Sequence, residues 1–216
     1  MTSAPSTGIA PPMPDDPHAI ADLDALHALF GTPGAAALDK VADRMTPLYR
    51  RWIMASRFAI LSTIGPEGTD ASPRGDDGPV VRELDPRTLL MPDWRGNNRL
   101  DSLRNIVRDP RMSLMFMVPG SANVVRVNGT AHLTTDPALT ALFTDRGRAP
   151  KLVIVIRTAE IYTQCARAIL RSGLWGDVRD PGLPSVGDIL NEQTDGTFDG
   201  AAYDADWPDR AARSMW

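Results

Sequence analysis

The densest set of anion-binding side chains runs from Asp93 to Asp101, where Trp94, Arg95, Gly96, Asn97, Asn98 and Arg99 stand between a short apolar run and an amphipathic one. That order predicts a strand end feeding a helix N-terminus. The first turn of a helix carries backbone N–H groups without intrahelical partners and the positive end of the macrodipole, so an anion is stabilised there. Arg95 and Arg99 add fixed charge and forked donors that match phosphate oxygens. Asn97 and Asn98 can cap the helix or bind an anion themselves. The same residues also fit a plain capped helix with two solvated arginines, and the local pattern leaves both readings open.

Two further segments carry weaker signals. Arg74, Gly75 and Asp76 follow Ser72 and Pro73, and an arginine beside a glycine at a strand end lets backbone approach a planar ligand closely. A β-bulge with an exposed Arg–Asp pair explains them equally. Arg167 and Arg171 stand at i and i+4 on one helical face, followed by Ser172 and Trp175; a surface helix with an aromatic plug is the alternative. Other chemistries lack their motifs. No Gly-x-Gly-x-x-Gly follows a strand, and neither a Gly-Lys-Ser/Thr phosphate loop nor a Gly-x-Ser-x-Gly elbow occurs. His18, His27 and His132 are not at metal-ligand spacing, so no metal is expected. The lone Cys165 excludes an intrachain disulfide and reads as a small buried hydrophobe rather than a nucleophile.

These segments need elements to position them. The 216 residues suit one domain with appendages, and the 43% hydrophobic and 23% charged content is ordinary globular usage. With 23 Lys plus Arg against 27 Asp plus Glu, the net charge of -4 lacks the basic footprint of a general nucleic-acid binder. No run of about eighteen apolar residues is present, so no membrane helix is expected. The first residues have neither the basic start nor the apolar core of a secretory signal, which makes the cytoplasm the expected address. Five prolines within the first 17 residues predict a flexible arm over residues 1–20. An N-terminal helical extension over 21–56 follows, with N-caps at Asp22 and, ahead of Pro47, at Thr46.

From residue 57 the texture turns to short β-branched runs. Residues 58–64 and 69–74 read as a hairpin around Gly65–Gly68. Val80–Val81 and 88–91 are strand candidates around Asp85-Pro86, and 112–118 with 123–133 form a second hairpin. Leu100, Leu103, Ile106 and Val107 mark a helix ended by Asp109-Pro110. Residues 137–143 read as a short helix and 152–156 as a central strand continuing to Tyr162. Helices follow after Cys165 and at 186–193, within a C-terminal helical extension over 166–216. Hairpins without βαβ alternation argue for a mainly β, antiparallel barrel with flanking helices over 57–165.

Together and in this order, the segments Phe58–Thr63, Ser72–Asp76, Asn97–Leu103, Val125–Gly129 and Arg171–Trp175 resemble the pyridoxamine 5'-phosphate oxidase-like family of flavin-binding split barrels. They are most similar to its subgroup of FMN-dependent enzymes of unknown substrate. The resemblance implies a six-stranded antiparallel split β-barrel that forms a homodimer with FMN at the interface. It implies flavin-dependent oxidoreduction of a small organic substrate, or binding and carriage of a flavin or deazaflavin without turnover. By the same resemblance, Arg99 holds the FMN phosphate with Asn97, Asn98 and Arg95 beside it. Arg74, Gly75 and Asp76 lie along the flavin ring, Met91 and Pro92 line the strand-end pocket, and Arg171, Ser172 and Trp175 reach across the interface. The chain departs from the vitamin B6 oxidase itself. Its C-terminus lacks that enzyme's signature rich in Arg and Pro, and the helices before Ser56 lie outside the minimal fold.

Overall fold

The computed structural model describes residues 16–144, 149–176 and 182–214. Three helices come first: α1 (Leu23–Phe30), α2 (Ala35–Asp39) and α3 (Pro47–Ile53). Asp22 caps α1 by accepting from the Ala25 N–H at 2.8 Å. Thr46 caps α3, and Pro47 sits at its first position, where the missing N–H costs nothing. The strands are β1 (Phe58–Gly65), β2 (Gly68–Gly75), β3 (Arg82–Asp85), β4 (Thr88–Pro92), β5 (Arg111–Met117), β6 (Val124–Thr134) and β7 (Val153–Gln164). Helix α4 (Asp101–Arg108) stands between β4 and β5, and α5 (Pro137–Thr140) between β6 and β7. After β7 come α6 (Arg167–Ser172), α7 (Val186–Gln193) and α8 (Gly200–Ser214).

All strands join one antiparallel sheet in the order β2-β1-β5-β6-β7-β4-β3. The six-stranded expectation is corrected to seven. β3 folds back on β4 through a turn tightened by the Arg87 N–H on Asp85 Oδ1 at 2.7 Å. Val80 and Val81 are not strand residues; they are buried just ahead of β3. Alternate residues of the central strands, among them Leu61, Leu114, Phe116, Val127 and Ile161, fill a continuous core. β4 is buried at every position because both its faces are covered: Leu89 and Met91 join this core, while Leu90 meets Val153, Val155 and the side chains of Leu139, Leu142 and Phe143.

Helix α4 lies on the β1–β2 hairpin and is registered there by polar hooks three residues apart. Ser102 Oγ donates to Asp70 Oδ2 at 2.5 Å, Asn105 Nδ2 donates to Thr63 Oγ1 at 3.1 Å, and Arg108 donates to Glu67. The approach requires Gly65, since a Cβ there would sit 2.2 Å from Asn105 Oδ1. The Arg108 guanidinium, hydrogen-bonded to Glu67, holds that carboxyl below its ordinary range. This contribution is present at neutral pH and is lost as acid protonates Glu67.

The C-terminal helices α7 and α8 pack chiefly on each other. Their backbones touch at Gly187 and Gly200, where a Cβ on either would lie 2.2 Å from the other's carbonyl oxygen. Asp204 accepts from the Gly187 N–H at 3.0 Å and from Ser185 Oγ. Helix α8 runs through Pro208, the residue that hides it from a periodicity reading. Cys165 is exposed, which corrects its reading as a buried hydrophobe: it follows the end of β7 rather than lying within the sheet. Among the described residues no helix is long and apolar enough to cross a membrane.

The buried Asn105–Thr63 contact sets a measurable expectation. Asn105→Ala leaves the Thr63 hydroxyl buried without its donor and costs about 1–3 kcal/mol. Urea unfolding is expected to show a lowered midpoint at unchanged slope.

Candidate functional site

Four strands separate β2 from β4 in the sheet, yet the curl of the sheet brings their ends together. Two side-chain contacts close the gap. Arg74, from β2, donates through Nη1 to Asp93 Oδ1 at 2.7 Å, and each side chain is only 18% exposed. Trp94 Nε1 donates to Asp76 Oδ2 at 2.9 Å. Each side of this clasp is pinned by backbone: the Asp76 N–H donates to Arg57 O at 3.0 Å, and the Asp93 N–H to Leu152 O at 3.1 Å.

Beneath and beside the clasp lies a groove of about 1660 Å³. It takes in nine of the sequence-predicted site residues: Arg74, Gly75 and Asp76 from the end of β2, Met91 and Pro92 from β4, and Arg95, Asn97, Asn98 and Arg99 from the loop before α4. Arg171, Ser172 and Trp175 are not among its lining residues. They belong to α6 and the residues after it, where Trp175 Nε1 donates to Ser121 O at 2.7 Å and Ser172 Oγ to Ile169 O at 3.0 Å. The groove also has a wall that sequence reading missed, formed by Ala149, Pro150, Lys151 and Leu152. Only the pairing of β4 with β7, Pro92 against Val153, carries this wall to the site, and no local pattern reports that pairing.

The loop does not cap α4 as its asparagines suggested. Asn97 Oδ1 instead accepts from the Arg99 N–H at 3.0 Å, and the N-cap position is Leu100, which supplies no side-chain bond. Asn98 and Leu100 have φ of 58° and 64°, in the left-handed region. Asparagine tolerates that region, but leucine is strained there at about 1–2 kcal/mol, a cost held in place by the surrounding fold. The result is a helix N-terminus at the groove with no side chain bonded over its first turn. Arg99 is paired with Asp101 but remains 67% exposed. Arg95 and Lys151 make no ion pair among the described residues. The Arg74 Nε atom is buried with no acceptor among the described residues. The groove therefore offers an open helix end, two unpaired cations and an orphaned guanidinium N–H, while its five carboxylates, Asp70, Asp76, Asp77, Asp93 and Asp101, all have partners within the protein. No cluster of three or more His, Cys, Asp or Glu suited to a metal ion occurs among the described residues.

A curled antiparallel sheet with helices on its flanks and a groove at its strand ends is the split-barrel architecture. The family model described as pyridoxamine 5'-phosphate oxidase matches residues 45–165, more than half of the chain. The chain belongs to that family, a family of flavin-binding proteins. No curated protein matches it. Among solved structures it is similar to HupZ of Group A Streptococcus, at 18% identity over 55% of this chain and 94% of that one, with a TM-score of 0.45. It is also similar to an F420 reductase, at 19% identity over 54% of this chain and 98% of that one (TM-score 0.42). A third is the FAD binding protein from Mycobacterium smegmatis, at 12% identity over 57% and 97%, with a TM-score of 0.39.

The clasp makes a prediction independent of any ligand. Arg74 and Asp93 are mostly buried, so a double-mutant cycle with Arg74→Ala and Asp93→Ala is expected to give a coupling of about 1–3 kcal/mol in urea unfolding. The exposed Arg99–Asp101 pair, treated alike, is expected to give under about 1 kcal/mol.

Proposed function

We propose that the chain is an FMN-dependent oxidoreductase acting on a small organic substrate, with FMN bound in the groove between β2, β4 and α4. The observation that carries this reading is the open N-terminus of α4 beside Arg99, in a groove that is also lined by Arg74 with its unsatisfied Nε. An anion and a hydrogen-bond acceptor are thus called for at separate points of one groove, as a molecule with a phosphate tail and a polar ring requires. FMN, when bound, supplies the hydride and electron chemistry, and the protein binds and orients it. The N–H groups of the first turn of α4 and the Arg99 guanidinium hold the phosphate, with Asn97, Asn98 and Arg95 around it. Arginine has five donors, so Arg99 can keep Asp101 while bonding phosphate. Arg74 donates to the ring, Gly75 and Asp76 run along it, and Met91 and Pro92 form an apolar floor.

The active unit in this reading is a homodimer. Arg171, Ser172 and Trp175 stand away from the groove of their own chain, next to exposed Leu170 and Leu174, and in the dimer they complete the partner's groove.

The test is the absorption spectrum of the purified protein, with any released ligand identified by mass. Flavin bands and an FMN mass are expected; a colourless protein that also fails to bind added FMN overturns the reading. Bound FMN with no turnover of any donor or acceptor marks a carrier instead of an enzyme. Arg99→Ala is expected to weaken FMN binding by about 1.5–3 kcal/mol, the range for charge-assisted hydrogen bonds. Fluorescence titration reads that loss directly.

A further inference from the structure

Arg74 spans the split of the barrel and uses only part of its guanidinium in doing so. Nη1 is bonded to Asp93, while Nε is buried without an acceptor, although the residue lines the groove. A buried guanidinium N–H without a partner is costly, so its acceptor is expected to come from outside the chain. Asp93 is well placed to aim it. Its backbone is tied to Leu152 O just ahead of β7, and its carboxylate meets Arg74 at 2.7 Å. The neighbouring carboxylate of Asp76 is already engaged by Trp94 Nε1 and by the Asp77 N–H.

We infer that Asp93 is a positioning residue. It fixes the Arg74 guanidinium so that Nε meets a neutral acceptor, a ring nitrogen or carbonyl, on the bound ligand. The inference rests on the FMN reading above and deepens it by dividing the groove. A mostly buried, paired guanidinium supplies direction with little net charge, which suits a neutral ring edge. The phosphate is left to the open helix end and to Arg99, whose pairing with Asp101 lies in solvent and is weak.

The experiment uses the full-length protein with FMN as the probe, reading both the dissociation constant and the position of the visible flavin band. Arg74→Ala and Asp93→Ala are each expected to weaken FMN about tenfold and to shift the band in the same way. The double variant is expected to bind no more weakly than Arg74→Ala alone, because Asp93 acts through Arg74. Asp93→Asn keeps an acceptor at Oδ1 and is expected to restore most of the affinity and the band. Arg74→Lys keeps the ion pair but lacks the Nε donor, and is expected to behave as Arg74→Ala does; it gives a readout even where Asp93→Ala does not fold.

Additive losses in the double variant overturn the inference. So does a wild-type band and affinity in either Asp93→Ala or Arg74→Lys, while the flavin reading stands. A wild-type protein that binds no FMN overturns the flavin reading, and this inference with it.

Discussion

The ion pair between Arg74 and Asp93 joins two strand ends that four other strands separate in the sheet. An antiparallel sheet twists and coils because of backbone chirality, and over several strands the coil brings distant strands back toward each other. Here it does so at one end, where β2 and β4 deliver Arg74 and Asp76 to Asp93 and Trp94. The groove is the space left inside that closure. Its shape therefore depends on a contact with no sequence locality, and its electrostatics depend on the fact that one of its cations is already half engaged.

The second determinant is the seat of α4. A helix whose buried face were wholly apolar could slide along the β1–β2 hairpin at modest cost. Ser102, Asn105 and Arg108 instead meet Asp70, Thr63 and Glu67, and the buried Ser102 and Asn105 would lose their partners if the register slipped. The register in turn sets where the first turn of α4 opens. The left-handed Leu100 lies at that point, so the local strain and the open helix end share one cause: the loop must turn sharply to enter a helix whose position is already decided.

The family match, residues 45–165, covers α3, the sheet and α4. The helices outside it have a different character. α1 buries none of its residues, and α7 and α8 find their packing chiefly in each other, through the Gly187–Gly200 approach and the Asp204 carboxylate. Hydrophobic side chains such as Leu23, Phe30, Val186 and Ile189 remain exposed on these helices.

Much was legible in the chain itself. Period-2 apolar runs and Gly-Pro turns marked the hairpins, Thr46-Pro47 marked the start of α3, and the stretch from Arg74 to Arg99 held all nine of the predicted residues that line the groove, because one loop and two strand ends carry them. What local pattern could not supply was whatever depends on pairing at a distance. The strand β3, only four residues long, exists because β4 is there to receive it. Lys151 joins the groove through the β4–β7 register. Asn97 gave up capping to serve the Arg99 N–H because the fold placed Leu100 at the cap. Side-chain type and spacing determine which chemistry is available. Which charges are spent on each other, and which are left for a ligand, is decided only when the sheet curls and the strand ends meet.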